Sequence, residues 1–541
     1  MTTLPSGLPV VVDRAGPAPL AVQISAQLQA AVTGGMLRSG DRLPSTRDLS
    51  ATLGVSRTVV TNAYARLFAE GWLEGRHGSG TYVANVTPPQ SPPLPPAGPR
   101  PAGPRPAGST ALTGLVCATG PASPGSFAQS ASIEALKSAN EPEGQPAGAI
   151  ARRDIGGYGG SSPREITDLQ PGISWAEGIE PAAWRRAWRQ AGAHLPSRQP
   201  DPYGLPELRA EIAAYLRRSR GLAVTPAQVL ITQGVSNGLA LLADALLAPG
   251  DKAGVEEPGY PTGREVLRRA GARVVPCRVD AHGILPGELP GDLRLLYTTP
   301  AHQYPLGGRL PVSRRQALIA WARATGALVV EDDYDSEFRY DVGPLPALHS
   351  MDPEVIVYLG TASKVLATAF GAGWLVAPPV LIDRLADLRP RLGVRIPEPV
   401  QHAMLALLRS GDLERHVRKM RLEYARRRAA LVDGLTHADR AATDAGQSRT
   451  PAPFRLLGDT AGMHVVLALP DDYPTLRLVD EAAARGIAVY PLDRYFAGPP
   501  TMNGLVLGYG AATLPQVRRA ATQLAHLLAR LRRRAGIRPS C

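Results

Sequence analysis

The chain has 541 residues, a length that predicts more than one domain at roughly 150 residues per domain. Hydrophobic residues make up 44% of it, which excludes a wholly disordered chain. The net charge of +12 is compatible with nucleic-acid binding but does not establish it, because a GC-rich coding bias also enriches arginine.

The first predicted elements are helices. Apolar residues at helical spacing in residues 20–33 predict a first helix. Ser45 is a good N-cap for a second helix, with Asp48 in a variant of the capping box, and Gly54 marks the turn that follows. A third helix follows directly, and then two short strand-like runs on either side of a glycine-rich segment. This order is typical of a winged helix-turn-helix, which we place at residues 15–86.

This module predicts DNA binding, because the second helix of the turn motif enters the major groove with its N-terminal residues at the base edges. Arg57 can read guanine, Asn62 can read adenine, and Arg47 can hold a phosphate. Small helical domains that bind proteins have the same pattern, and a solvated surface side chain is the alternative for each residue. The predicted DNA-binding residues are Arg47, Ser56, Arg57, Thr58, Thr61 and Asn62 from the helices, and His77, Gly78 and Ser79 from the wing.

The composition then changes twice along the chain. Residues 87–163 are mostly Pro, Ala, Gly and Ser and include the run SPPLPPAGPRPAGPRPAG. Such a segment cannot bury a core, so it predicts a flexible linker. In residues 164–541, apolar strands alternate with amphipathic helices, which is the pattern of an α/β domain.

Only four of the 59 basic residues are lysines, and Lys364 has an unusual setting among them. It follows an apolar strand and a loop of small residues that includes Thr361 and Ser363. Earlier in the domain, the apolar run 229–232 leads through glycine into Val235 and Ser236 at the start of a helix. A strand, a glycine turn and a helix start make an anion-binding cradle, because free backbone N–H groups point at the ligand.

These features fit pyridoxal 5′-phosphate (PLP), which needs a Schiff-base lysine, an acid at the pyridinium nitrogen and a helix N-terminus for its phosphate. Asp332 is our candidate for the acid, although Asp333 and Asp335 are alternatives. Tyr334 could donate to the ring hydroxyl. Tyr260 could stack on the ring or simply pack in the core.

Several runs in the first module resemble the GntR family of bacterial transcription regulators. They are residues 40–45, 53–57, 70–71 and 78–81. The resemblance covers nearly all of residues 15–84. It implies a role in DNA recognition for Arg47, Arg57, Thr58 and the wing glycines.

Residues 166–541 resemble fold-type I aminotransferases, and the two modules together resemble the MocR subfamily of GntR regulators. The runs at 411–421, 461–464 and 490–492 are MocR-like. The resemblance implies that Lys364 is the Schiff-base lysine, Asp332 the pyridinium partner, Tyr334 the O3′ partner, Ser236 a phosphate ligand and Tyr260 the stacking ring. The full predicted cofactor-binding set is Lys364, Asp332, Tyr334, Tyr260, Val235, Ser236, Ser363 and Thr361.

The chain departs from this family pattern at three places. Gly371 stands seven residues after the lysine, where family members usually carry an arginine that pairs with the cofactor phosphate. The late strand 503–509 has no arginine for a substrate carboxylate, and Arg494 is the nearest one. Tyr304 replaces the asparagine of the usual Asn-Pro-x-Gly turn. Because charge-assisted contacts are strong, another arginine must replace the missing charge, or PLP binds weakly, or the ligand differs.

The sequence thus predicts a DNA-binding transcriptional regulator whose aminotransferase-like domain senses PLP or a PLP–amine adduct through Lys364, without full transaminase turnover. One alternative is a regulator whose degenerate domain does not bind PLP and serves dimerisation or another ligand. Another is an active PLP-dependent aminotransferase. The expected partners are double-stranded DNA, a small amine or amino-acid effector, and a second copy of the chain, since such domains are usually dimers.

We expect a cytoplasmic protein. No apolar run approaches the ~20 residues of a membrane-spanning helix, and the N-terminus lacks a signal-peptide pattern. The three cysteines lie far apart and lack metal-type spacing, so no metal site is predicted.

Overall fold

The computed structural model describes residues 10–14, 19–70, 72–76, 80–84, 166–340, 346–444, 454–458 and 461–535. The predicted linker, residues 87–163, lies outside these ranges. So do the predicted wing residues His77, Gly78 and Ser79.

Three helices and a hairpin form the N-terminal unit. They are α1 (Leu20–Thr33), α2 (Thr46–Leu53), α3 (Arg57–Glu70), β1 (Leu73–Arg76) and β2 (Gly80–Val83). The two strands pair antiparallel. Ile24, Leu28, Val60 and Leu67 are buried and pack together with Trp72. The helices and the hairpin therefore share one small apolar core, as a winged helix-turn-helix requires.

A capping serine and a glycine define the ends of α2 and the turn to α3. The Ser45 hydroxyl accepts a hydrogen bond from Asp48 N at 3.2 Å and donates to the Asp48 carboxylate, which caps the start of α2. Gly54 ends α2 with φ of 62°, a left-handed conformation that glycine adopts without steric cost. This turn brings the starts of α2 and α3 close together.

A large sheet organises the C-terminal unit. Its strands are β4 (Val229–Thr232), β5 (Lys252–Glu257), β6 (Arg273–Asp280), β7 (Gly283–Ile284), β8 (Leu295–Thr298), β9 (Leu328–Asp333), β10 (Ile356–Thr361) and β11 (Gly373–Val376). Their order in the sheet is β4-β11-β10-β9-β8-β5-β6-β7. Strand β11 runs antiparallel to both of its neighbours, while β10, β9, β8, β5 and β6 are mutually parallel. The carboxyl ends of β4, β8, β9 and β10 therefore meet at one edge.

Helices cover both faces of this sheet. They are α4 (Pro181–Gly192), α5 (Pro206–Arg220), α6 (Val235–Leu246), α7 (Pro261–Arg269), α8 (Val312–Thr325), α9 (Pro379–Arg391), α10 (Glu398–Arg409) and α11 (Asp412–Asp444). Successive strand residues point to opposite faces, so Leu230 and Leu359 pack into one apolar core while Ile231 and Tyr358 pack into another. Burial on both faces explains why these strands are continuously apolar in the sequence.

A smaller sheet follows late in the chain. Its strands are β12 (Arg455–Leu457), β13 (His464–Leu469), β15 (Tyr490–Pro491) and β16 (Asn503–Gly508), and two further helices are α12 (Thr475–Ala483) and α13 (Leu514–Ala535). The short strand β3 (Thr167–Asp168) pairs with β14 (Ile487–Ala488), so the first segment of the domain lies beside its last part. The predicted architecture, a helix-turn-helix with a hairpin followed by an α/β domain, is confirmed. No helix within the described ranges is long and apolar enough to cross a membrane.

Candidate functional site at the carboxyl edge of the large sheet

A cavity of about 440 Å³ lies at the edge where the parallel strands end, which is the usual place for ligands in open α/β sheets. All eight residues of the predicted cofactor-binding set line it: Lys364, Asp332, Tyr334, Tyr260, Val235, Ser236, Ser363 and Thr361. The structure thus brings together side chains that are more than 100 residues apart in the sequence.

The Lys364 amine lies inside this cavity. Its Nζ donates to the carbonyl oxygen of Gly172 at 2.6 Å. Gly172 has φ of 78°, and a Cβ there would lie 3.0 Å from Nζ, so glycine permits this close approach. Burial lowers the pKa of Lys364, while the nearby carboxylates of Asp332 and Asp335 act in the opposite direction. A lowered pKa increases the fraction of neutral amine, which is the nucleophilic form.

Three aspartates at the end of β9 and directly after it have different partners. Asp333 forms a buried ion pair with Arg220, and Asp335 contacts His302. The Asp332 carboxylate accepts a hydrogen bond from Tyr297 through Oδ2, but its Oδ1 is buried without a hydrogen-bond partner among the described residues. Burial raises the pKa of Asp332 to about 7. An unsatisfied buried carboxylate oxygen is costly, so this atom is the one best placed to accept a hydrogen bond from a ligand.

The Tyr334 hydroxyl belongs to a buried network that the sequence did not suggest. It lies 2.9 Å from His302 Nδ1, and the same nitrogen lies 3.0 Å from Asp335 Oδ2. If Nδ1 carries its proton toward Asp335, the hydroxyl of Tyr334 keeps its own proton free to donate elsewhere. His302 stands four residues after the end of β8, and nothing in the sequence linked it to Tyr334.

His464, the first residue of β13 in the smaller sheet, packs beside this network, with its ring centroid 5.2 Å from that of His302. The Nε2 of His464 lies 2.8 Å from the carbonyl oxygen of Pro305, and burial lowers its pKa to about 4. One ligand atom each from His302, Asp335 and His464 lie within 4.8 Å of one another, a spacing compatible with a metal ion. Asp335 and Tyr334 already engage Nδ1 of His302, whereas Nδ1 of His464 is buried without a hydrogen-bond partner among the described residues.

The aromatic residues form the other wall. The ring of Tyr260 stacks on that of Tyr297, with centroids 6.4 Å apart, and meets the ring of Tyr304 edge-on at 5.9 Å. Tyr304, which replaces the expected asparagine, also meets Tyr334 edge-on at 5.6 Å. Tyr260 therefore packs on other aromatic rings and lines the cavity at the same time.

The expected anion cradle lies where β4 passes into α6. Gly234 has φ of 128° and ψ of −178°, a conformation nearly restricted to glycine, and it turns the chain into the helix. Across from it, the hydroxyls of Thr361 and Ser363 lie 3.0 Å apart. Helix N–H groups and two hydroxyls suit a phosphate. Gly371 also has a left-handed conformation, with φ of 64°, which disfavours the arginine expected there.

Arg494 lines the cavity from the short helical turn Leu492–Tyr495. Its guanidinium carbon lies 5.3 Å from the centroid of the Tyr490 ring and 6.0 Å from that of Tyr495. Among the described residues that line the cavity, Lys364 and Arg494 are the cationic side chains. The sequence had singled out Arg494 only as the arginine nearest to the late strand.

The predicted DNA-binding residues of the helices form a second candidate site. The structure describes six of them, and all six are exposed: Arg47, Ser56, Arg57, Thr58, Thr61 and Asn62. Most of them lie at the start of α3 or directly before it. Arg57 Nε donates to the hydroxyl of Thr46 at 3.2 Å, which connects the starts of the two helices. The exposed N-terminal end of α3 has the position of a recognition helix.

Comparisons with known proteins agree with this two-part architecture. The family model for bacterial regulatory proteins of the gntR family matches residues 20–83, and the one for aminotransferases of class I and II matches residues 175–488. The chain is 35% identical to the pyridoxine biosynthesis transcriptional regulator PdxR of Corynebacterium glutamicum, over 93% of this chain and 95% of PdxR. It is 31% identical to the probable rhizopine catabolism regulatory protein MocR of Rhizobium meliloti, over 92% of each. Among solved structures, an archaeal alanine:glyoxylate aminotransferase matches with a TM-score of 0.61 and 25% identity, over 68% of this chain and 91% of that enzyme.

Proposed function

This chain belongs to the MocR-type regulators of the GntR family, DNA-binding transcription regulators with an aminotransferase-like domain, and we propose that it senses PLP or a PLP–amine adduct through Lys364. One observation carries the proposal. The amine of Lys364 and the unsatisfied Oδ1 of Asp332 line the same cavity, next to an anion cradle at the start of α6.

The residues of the cavity fit this cofactor. When bound, PLP supplies an aldehyde that reacts with amines and a ring that accepts electrons. Lys364 offers a desolvated amine. The Asp332 carboxylate would hold a proton at the ring nitrogen, which supplies the hydrogen bond that Oδ1 lacks. The Tyr334 hydroxyl would donate to the ring hydroxyl.

The phosphate would lie at the start of α6. Val235 and Ser236 line the cavity there, with the hydroxyls of Thr361 and Ser363 opposite. Because Gly371 carries no guanidinium, this cradle holds the phosphate with backbone and hydroxyl groups and without the arginine usual in the family. We therefore expect weaker PLP binding than in an aminotransferase, which suits a sensor whose occupancy follows the concentration of free PLP.

A regulatory role also explains the fusion of the two units. A ligand that binds one arrangement of the domains more tightly than another shifts the population toward that arrangement. The name of the relative PdxR refers to pyridoxine biosynthesis, which supports a vitamer of this group as the signal. We further propose that the protein acts in the cytoplasm as a homodimer on paired DNA half-sites.

Absorption spectroscopy tests the proposal. With added PLP, the wild type should develop the visible band of PLP joined to a lysine, and Lys364→Ala should lose it. Lys252→Ala is the matched control and should keep the band, because Lys252 begins β5 at the opposite edge of the sheet. Borohydride reduction and peptide mapping should then locate the cofactor on Lys364.

Two outcomes would favour one of the two alternative functions over PLP sensing. No band at saturating PLP would indicate a degenerate domain used for dimerisation or another ligand, the reading that Gly371 favours. Amino-acid-dependent release of a keto acid over many turnovers would indicate an active aminotransferase.

A further inference from the structure

A buried cluster of two histidines and one aspartate lies next to the cavity, although none of the three lines it. We infer that His302, Asp335 and His464 bind a divalent transition-metal ion of the zinc class. This site goes beyond the proposed function, which leaves the three residues without a ligand of their own. Imidazole nitrogen and carboxylate oxygen together suit Zn²⁺ and the neighbouring transition metals, whereas Mg²⁺ and Ca²⁺ prefer oxygen ligands alone.

Three separate parts of the fold bring these side chains together. His302 lies in the segment after β8, Asp335 stands two residues after β9, and His464 begins β13 of the smaller sheet. Their exposed fractions are 3, 2 and 4%, so water has little access to any of them. Buried groups of this kind are paired with one another or coordinate a metal. The cluster therefore has the composition and the burial of a metal site.

The backbone determines which nitrogen of His464 carries the proton. Nε2 lies 2.8 Å from the carbonyl oxygen of Pro305, and a carbonyl only accepts, so Nε2 is the protonated nitrogen. The other nitrogen of the neutral ring, Nδ1, then has a free lone pair. It is buried without a hydrogen-bond partner among the described residues. Metal-binding histidines usually have this form, with one nitrogen donating to a carbonyl and the other on the metal.

The contact between His302 and Asp335 has a length that a metal ion can take over. Nδ1 of His302 lies 3.0 Å from Oδ2 of Asp335, and groups this close hold a proton between them. Two ligands of a tetrahedral Zn²⁺, with bonds of about 2.0–2.2 Å, lie roughly 3.3–3.5 Å apart. A cation can thus replace the proton with a small shift. Because all three ligand atoms lie within 4.8 Å of one another, His464 needs to approach by at most about 1.5 Å.

A glycine allows this close arrangement. A Cβ on Gly462 would lie 2.1 Å from Cε1 of His302 and 2.7 Å from Oδ2 of Asp335, so a larger residue would push the two ligands aside. The carbonyl of Gly462 accepts a hydrogen bond from the Tyr509 hydroxyl at 2.7 Å, which holds the segment that leads into β13. The backbone on this side of the cluster is therefore fixed.

Tyr334 connects the cluster with the cavity. Its hydroxyl lies 2.9 Å from Nδ1 of His302, and its side chain lines the cavity. A metal ion has a route to the cluster past this side chain. Three protein ligands leave a fourth position on a tetrahedral ion, which water or the hydroxyl of Tyr334 would fill.

The test uses the full-length protein without PLP, so its outcome does not depend on the proposed function. Isothermal titration calorimetry with Zn²⁺ should show a saturable site in the wild type. His464→Gln should weaken binding by roughly 100-fold or more, because even the outer partners of metal ligands contribute about 10- to 100-fold. Glutamine keeps an N–H for the carbonyl of Pro305. Asp335→Asn should show a similar loss, and His526→Gln, at an exposed position of α13, is the matched control.

X-ray absorption of the zinc-loaded wild type identifies the ligands without any substitution. It should show nitrogen and oxygen at about 2.0–2.2 Å and no sulfur, because cysteine takes no part in the site. This measurement keeps the inference testable if a variant fails to fold, which circular dichroism would detect.

Three results would overturn the inference. They are a wild type without a saturable Zn²⁺ site, a site with sulfur ligands, and wild-type affinity in folded His464→Gln and Asp335→Asn. The cluster would then be a hydrogen-bond network that orients Tyr334, and the PLP proposal would stand. A wild type that binds Zn²⁺ as expected but forms no band with PLP would instead overturn the proposed function alone.

Discussion

At the scale of single residues, the environment decides which of several identical side chains has a chemical role. Asp332 and Asp333 are adjacent in the chain and both buried, yet Asp333 pairs with Arg220 and Asp332 keeps one oxygen unsatisfied. Adjacent strand residues point to opposite faces of a sheet. One aspartate therefore stabilises the core behind the sheet, and the other lies in the cavity.

Asp332→Asn should weaken PLP binding by about tenfold or more, because the amide cannot hold a charged partner at the ring nitrogen. The substitution keeps the size of the side chain and an oxygen for the Tyr297 hydroxyl. A fluorescence or absorbance titration with PLP measures the effect. Asp292→Asn, at an exposed site, is the control, and an unchanged affinity in Asp332→Asn would remove Asp332 from the proposed site.

Asp332 should also make the free energy of unfolding of the ligand-free protein depend on pH. Burial raises the pKa of Asp332 from 3.8 to about 7, so between these values the folded state holds a proton that the unfolded state has released. Its contribution to the free energy of unfolding therefore falls as pH rises through this window. Urea denaturation of wild type and Asp332→Asn at several pH values measures it. The stability of the variant relative to wild type should increase from pH 4 to pH 7, and a constant difference would contradict the raised pKa.

At the scale of secondary-structure elements, helix starts are the functional parts of both units. Gly234 leads into α6 beside the cavity, and Ser56 leads into α3 on the surface. A helix N-terminus presents free N–H groups and a positive dipole end, which attract anions. In the proposed function, the start of α6 would bind the cofactor phosphate, and the start of α3 would lie against DNA.

Arg57→Ala should weaken binding to the operator and relax base choice at one position, since arginine reads guanine with two hydrogen bonds. We expect a loss of about 1–3 kcal/mol. Selection of binding sequences from a random pool, followed by affinity measurements on matched and mismatched sites, checks both effects. Arg198→Ala, at an exposed position of the other unit, should bind like wild type, and an unchanged preference in Arg57→Ala would exclude α3 as the reading helix.

The positive charge of the last helix, α13, does not by itself define the role of that helix. Its arginine-rich sequence admits either a solvated face or contact with DNA. In the structure, α13 is amphipathic, with Leu524 and Leu528 buried in the core of the domain. Arg532 is also buried, so part of the arginine run has a packing role.

At the scale of the whole molecule, the question is how a small ligand in one unit affects DNA binding by the other. Coupling between two sites is a free-energy difference and acts equally in both directions. DNA should therefore change the affinity for PLP by the same factor by which PLP changes the affinity for DNA.

We expect saturating PLP to change the operator affinity by roughly 5- to 150-fold, the usual range of such coupling. Fluorescence anisotropy with a selected operator, with and without PLP, measures it. Lys364→Ala should keep the affinity of the unliganded protein and lose the response. A wild type whose affinity for DNA is the same in both conditions would mean that the domain does not transmit PLP binding to the DNA-binding unit.

The sequence by itself determined the elements and the family. Helical spacing, capping residues and glycine turns are local features, so the helix-turn-helix and most of the strands that carry the site could be predicted within a few residues. The motif around Lys364 could be recognised for the same reason. The boundaries of the linker at residues 87 and 163 rest on composition and stay predictions.

Only the tertiary structure decided which side chains act together. It separated Asp332 from Asp333 and Asp335, joined His302 to Tyr334, and brought Gly172 to Lys364 from 192 positions earlier in the chain. It also placed Arg494 at the same cavity. A local sequence pattern shows whether an element is a helix or a strand and which of its faces is apolar. Partners across the cavity depend instead on how strands and loops from distant parts of the chain meet, and no short segment of the sequence contains that information.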